Sequence, residues 1–146
     1  MFQDALKVTG KVNVQIFDKD GNLKEDRSIE NLVVTTGKEF IASRMVGTSS
    51  TVMSHMALGS SNTAAAAGQT ALGTELGRVA LDSSGASGAV ATYVATFPAG
   101  TATGAVVEAG IFNAGSSGTM LCRTVFSVVN KGADDSMVVT WAITVS

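Results

Sequence analysis
The apolar positions divide the chain into short β-like runs separated by glycine-rich turns. Residues 11–17 (KVNVQIF) alternate, with Val12, Val14 and Ile16 on one side and Asn13 and Gln15 on the other. That period belongs to a half-buried strand. Residues 18–22 (DKDGN) follow, and Asp20-Gly21 supplies the positive-φ position of a hairpin turn. A charged return runs from Leu23 to Ile29, and residues 31–36 (NLVVTT) form a second β-branched run. Gly37 breaks it, and residues 38–45 (KEFIASRM) put Phe40, Ile41 and Met45 on one helical stripe. Residues 52–58 read as a further strand. Residues 63–76 stay open between helix and loop, because their alanines favour helix while Gly68 and Gly73 oppose it. Residues 78–82 suggest a short strand and residues 85–88 a turn.

The last part of the chain is the most regular. Residues 89–97, 105–113, 119–129 and 137–145 are apolar runs, each separated from the next by Gly, Ser, Asp or Pro. The final run alternates throughout, with Met137, Val139, Trp141, Ile143 and Val145 on one face and Val138, Thr140, Ala142 and Thr144 on the other. Four such runs predict an antiparallel meander. With the earlier runs the total is about seven or eight strands, which predicts a mainly β protein, an antiparallel β-sandwich or jelly roll, with one short helix near residues 38–45. Residues 1–10 lack a clear period and read as an N-terminal arm. Residues 11–146 read as a single β-sandwich domain.

Charge changes the picture. Of the 22 Asp, Glu, Lys and Arg residues, 14 lie in residues 1–44 and only 8 in the remaining 102 positions. Free domains usually keep about a quarter of their residues charged. A surface of Ala, Gly, Ser, Thr and Val suits a protein held against other proteins, and the sheet face carrying Thr140 and Ala142 is expected to be covered by a second layer or by a neighbour. The net charge of −2 offers no basic footprint for nucleic acid. No apolar run is long enough for a transmembrane helix. The first ten residues carry Asp4 and lack a signal-peptide pattern, so synthesis in a reducing cytoplasm is expected, in keeping with the single Cys122.

Candidate chemistry is sparse. Counted from Asp18 as an EF-hand loop, the sixth position is Leu23 and the twelfth Ile29, where that loop needs Gly and Glu. A turn is the better reading. His55 and Cys122 are single, distant in sequence and set in apolar runs, which favours packing over a nucleophile–base pair. No Gly-x-Ser-x-Gly elbow and no Walker loop is present. Trp141 is expected in the core, with a sugar-stacking surface as the alternative. Glu108 and Arg123 are charges in apolar strands, placed nearly opposite one another across a hairpin. They read either as a cross-strand ion pair, worth ~0.2–1 kcal/mol if exposed, or, through Arg123, as a contact to a partner subunit. No enzyme, cofactor or metal is expected.

Several segments carry a family resemblance. Residues 31–37 (NLVVTTG) with 40–45 (FIASRM), 56–60 (MALGS), 70–78 (TALGTELGR) and 108–113 (EAGIFN) leading to 120–123 (MLCR) resemble small structural proteins of tailed-bacteriophage virions. Proteins of this kind serve as capsid decoration (cement) proteins or as tail-fibre and baseplate pieces. The resemblance implies a virion component without an active site, made in the host bacterial cytoplasm. It would be homo-oligomeric (dimer or trimer) and partnered with the major capsid protein or with tail proteins. Phe2, Leu6 and Val8 are the expected arm anchors, and Arg123 joins them as an interface candidate. The absence of coiled-coil heptads tilts the reading from fibre toward capsid.

Overall fold
The computed structural model describes residues 6–47 and 51–146. Among them nine strands and one helix form: β1 (Val8–Phe17), β2 (Leu23–Val33), α1 (Thr35–Met45), β3 (His55–Gly59), β4 (Glu75–Ala80), β5 (Ser83–Ser87), β6 (Val90–Phe97), β7 (Gly104–Phe112), β8 (Met120–Lys131) and β9 (Ser136–Val145). The chain is mainly β, with a single short helix, as expected. All pairings are antiparallel, in the order β4-β3-β7-β8-β2-β1-β9-β6-β5.

One strand turns this sheet on itself. β2 pairs with β1 from Leu23 to Asn31, then Leu32 and Val33 leave to pair with Arg123 and Cys122 of β8. The charged return and the first three residues of the NLVVTT run, Asn31 to Val33, are therefore one strand serving two halves of the sheet, and the rest of that run enters the helix. The halves face each other across one core. Val12, Val14 and Ile16 of β1 and Val139 and Trp141 of β9 pack against Met56, Leu58, Ile111 and Cys122 of the other half. Their alternate positions face away, as a period of two dictates.

The meander is not what forms. β7 and β8 make a hairpin, but β6 pairs with β9 and β5, and β9 pairs with β1. The connections after Phe97 and Lys131 cross from one half to the other. They are tied together where Lys131 Nζ donates to the Pro98 carbonyl at 2.9 Å. β5 adds a strand where residues 85–88 predicted a turn. Its SSGAS sequence has no large side chain to bury, and pairing to β6 holds it in place.

The helix starts earlier than expected, at Thr35, and contains Gly37. A Cβ at Gly37 would lie 1.9 Å from the Leu121 carbonyl oxygen, so glycine lets the first turn rest directly on β8. Phe40 and Ile41 pack against the core, whereas Met45 is exposed and leaves the expected stripe. Residues 60–74 contain neither helix nor strand. The expected arm also shortens. Val8–Gly10 belong to β1, and Lys7 exchanges backbone hydrogen bonds with Ser146 at 2.7 and 2.8 Å. Residues 1–5, including Phe2, lie outside the described residues.

The DKDGN turn closes β1 and β2 with the Asp18 N–H donating to the Asn22 carbonyl, the Gly21 N–H donating to the Asp18 carbonyl, and a positive φ of 81° at Gly21. Asp18 Oδ1 accepts the N–H groups of Asp20 and Asn22, both at 2.9 Å. Nearby, Lys24 Nζ bonds Asp135 Oδ2 at 2.9 Å and the Gly132 N–H donates to the same oxygen at 2.8 Å. These bonds, the Lys24 bond first, hold the Asp135 carboxyl below its ordinary 3.8. Folding therefore favours the ionised form. The resulting stability is complete above the unfolded-state value and is lost as pH falls through the folded one. Asp135→Asn should lower stability at neutral pH, with the difference from the native chain shrinking below about pH 4. Urea unfolding across the acid range reads this. A difference that stays constant with pH would contradict it.

Candidate functional site
The most unusual surface lies on the outward side of β9, β6 and β5. From Met137 to Ile143 the odd-numbered positions of β9 are buried, so the even-numbered residues face out: Val138, Thr140, Ala142 and Thr144. The register sets Thr96, Val94, Thr92 and Val90 of β6 beside them. Ser83, Gly85 and Ser87 of β5 continue the same face. Three adjacent strands thus present no ionisable side chain. Lys11 of β1, opposite Ala142, borders the face on one side. Asp82, whose carboxylate accepts the Thr96 hydroxyl at 2.6 Å, borders it on another. A sheet face open to water normally carries polar and charged residues. Here the β9 and β6 positions are half-buried among their neighbours and those of β5 are exposed, and no described segment covers them. The expectation that the chain's own second layer covers this face is not met, because that layer packs on the inward side, against Met137, Val139, Trp141 and Ile143.

The other half of the sheet has its outward face covered by its own chain, and the two charged strand residues organise that cover. Glu108 and Arg123 are 0% and 1% exposed and pair at 2.9 Å. They sit diagonally, since Glu108 is opposite Val125 and Arg123 opposite Gly110. Glu108 Oε2 accepts the N–H groups of Ser61 and Thr74, both at 2.9 Å, and Oε1 accepts the Gly73 N–H at 2.8 Å. Arg123 donates through Nη1 to the Thr63 carbonyl at 2.9 Å and to Gln69 Oε1 at 3.0 Å. One buried ion pair thus supplies backbone partners for a long irregular segment, which satisfies groups that helix or sheet would otherwise satisfy. Gly59 is required beneath it. A Cβ there would meet the Thr74 carbonyl oxygen at 2.4 Å and Glu108 Oε2 at 2.5 Å.

The same covered face carries Arg78 over the Phe112 ring at 3.8 Å. Its Nη1 donates to the Ala114 and Ser117 carbonyls, both at 2.9 Å, which fixes the β7–β8 turn. The sequence contains the charges of this network but no spacing signal for the loop contacts. The only legible hint is a Glu and an Arg set in otherwise apolar strands.

The interface candidates fall in different places. Leu6 is 78% exposed beside the β1–β9 end, and Val8 packs at the core margin opposite Val145. Arg123 is enclosed in the chain's own ion pair. His55 and Cys122 are not brought together. His55 pairs with Phe112 on the covered outer face, Cys122 with Ile111 on the core side. His55 Nδ1 lies 2.8 Å from Ser54 Oγ. Burial pushes the Cys122 thiol well above its ordinary value, which keeps it protonated at neutral pH. Trp141 is 0% exposed, so its ring faces are turned into the core. Among the described residues no group of three or more His, Cys, Asp or Glu side chains is placed to hold a metal ion, and no helix is long and apolar enough to cross a membrane.

Comparison of the chain with protein families, curated proteins and solved structures gave no match.

Proposed function
We propose that the chain is a structural protein of a tailed-bacteriophage virion, acting as a capsid decoration (cement) protein bound across junctions between major capsid subunits. The observation that carries this reading is the uncharged outward face of β9, β6 and β5. A face of Thr, Val, Ala and Ser loses little on dehydration and approaches another protein closely, with no unpaired charge to bury. Binding across a junction would resist its opening, and the shell would be stabilised by fit. The resemblance in residues 31–37, 40–45, 56–60, 70–78, 108–113 and 120–123 supplies the virion setting.

Thr140 stands within this face, with Asn13 and Val94 on either side. Thr140→Lys places a charge there while changing folding stability by no more than about 0.5 kcal/mol, as is usual for outward positions. Occupancy on purified capsids should fall about tenfold or more, because the ammonium would be buried without a partner. Unchanged occupancy would remove this face from the contact. Quantifying the protein in purified virions tests the location. Copies in proportion to the capsid subunits support the cement role, copies in proportion to the tail identify a tail-fibre or baseplate component, and absence from the particle ends the proposal.

A further inference from the structure
We propose that β5 is a self-pairing edge, through which two copies of this chain join antiparallel about a two-fold axis at Gly85. The proposal deepens the assembly reading and rests on it for the kind of partner. The hydrogen-bond parity can be followed strand by strand. The Val145 N–H donates to the Ala89 carbonyl at 2.9 Å, so the odd-numbered residues of β6 face β9 and the even-numbered ones face β5. Val94, Thr92 and Val90 then engage Ser83, Gly85 and Ser87. The bond from the Asp82 N–H to the Val94 carbonyl, at 2.7 Å, fits this parity with an extra residue at the strand start. The N–H and C=O groups of Ser84 and Ala86 are therefore turned to the open side of the sheet.

Those groups are arranged symmetrically about Gly85. A two-fold axis there sets Ser84 of one copy opposite Ala86 of its partner, and the reverse. All four outward groups on each copy are then satisfied, forming four hydrogen bonds across the pair. β5 carries no charge, no proline and no bulky side chain to turn a second strand away, and its five-residue length is what limits the contact.

Contacts of β4 with β5 would propagate as an open chain, whereas pairing of β5 with β5 closes on itself as a two-fold dimer. Beside β5, a mainly apolar groove of about 340 Å³ runs between α1 and β6, lined in part by Phe40, Val52, Met53, Ala86 and Tyr93. It adds apolar area to what would otherwise be a short five-residue contact. Pairing at β5 also joins the uncharged faces of two copies into one continuous surface six strands wide.

The test uses the purified full chain. Sedimentation over a concentration series should show a monomer–dimer equilibrium. Amide exchange at Ser84 and Ala86 should slow with rising concentration, while Gly85 and Ser87, already bonded to β6, change little. Ala86→Pro removes one outward N–H without touching a β5–β6 bond, and should weaken dimerisation at least about tenfold. A native chain that stays monomeric overturns the proposal. So does a dimer in which the Ser84 and Ala86 amides exchange freely, which would place self-association elsewhere. If Ala86→Pro fails to fold, the exchange measurement on the native chain decides alone. Presence of the protein in virions with a monomeric purified chain would defeat the edge pairing and leave the assembly reading standing.

Discussion
Glu108→Ala is expected to destabilise the fold by about 3–5 kcal/mol, the cost of removing one partner of a buried ion pair. Arg123 would keep its charge at 1% exposure with no counter-charge. The N–H groups of Ser61, Gly73 and Thr74 would lose their common acceptor in the same step. Two readouts separate the ion pair from generic packing. Hydrogen exchange at those three amides should accelerate well beyond exchange in β1 and β9, because residues 60–74 lose their anchor before the sheet opens. In a double-mutant cycle, Glu108→Leu combined with Arg123→Met should cost much less than the sum of the single changes, since it leaves no orphaned charge. A Glu108→Ala loss below about 1 kcal/mol, the worth of a surface pair, would contradict the buried role.

That ion pair also marks how far the residues alone lead. Glu108 and Arg123 stand out as charges in apolar strands, which points to an ion pair across a hairpin or to a contact with a partner subunit. What local reading lacks is the segment they hold. Residues 60–74 carry alanines that favour helix, yet Glu108 takes three of their N–H groups and Arg123 takes carbonyls at Thr63 and Ser61. Side chains distant in sequence override helix propensity by offering its backbone groups other partners. Strand existence is more legible, because alternation at Val12, Val14 and Ile16, or at Met137, Val139 and Trp141, is a direct consequence of burying one face.

Strand partnership is not local in the same way. The turns after Phe97 and Lys131 contain the same Pro, Gly and Asp residues that a hairpin would use, but they carry the chain across to the other half of the sheet. Turn composition says that the chain reverses and is silent on which strand receives it. β5 escapes for a different reason. Alternation needs apolar residues to alternate, and SSGAS has none larger than alanine. The candidate face was legible in part. The neutral positions of β9 were visible in its sequence, whereas their continuation over β6 and β5 depends on pairing that only the fold provides.

Trp141→Ala is the second large effect. Trp141 is 0% exposed, stands between Val12 and Tyr93 across its neighbouring strands, and is the largest fully buried side chain among the described residues. Its removal leaves a cavity in the centre of a two-layer core, with an expected loss of about 3–5 kcal/mol and a fall in Tm of roughly 10 °C. Trp141→Phe should cost less than the change in ring size suggests. The indole Nε1 has no hydrogen-bond partner, and phenylalanine removes that unpaired donor while refilling most of the space. Native emission should be blue-shifted and resistant to acrylamide, moving to the red on unfolding. Native emission already at the red, or an alanine variant within about 1 kcal/mol of the native chain, would refute the placement. Thr140 sits one residue away on the opposite side of β9. Thr140→Lys is expected to lose capsid occupancy with the fold intact, and Trp141→Ala to lose stability without altering the outward face. If both variants lost stability alike, the outer face would be part of the chain's own packing, and the argument that it waits for another protein would fail.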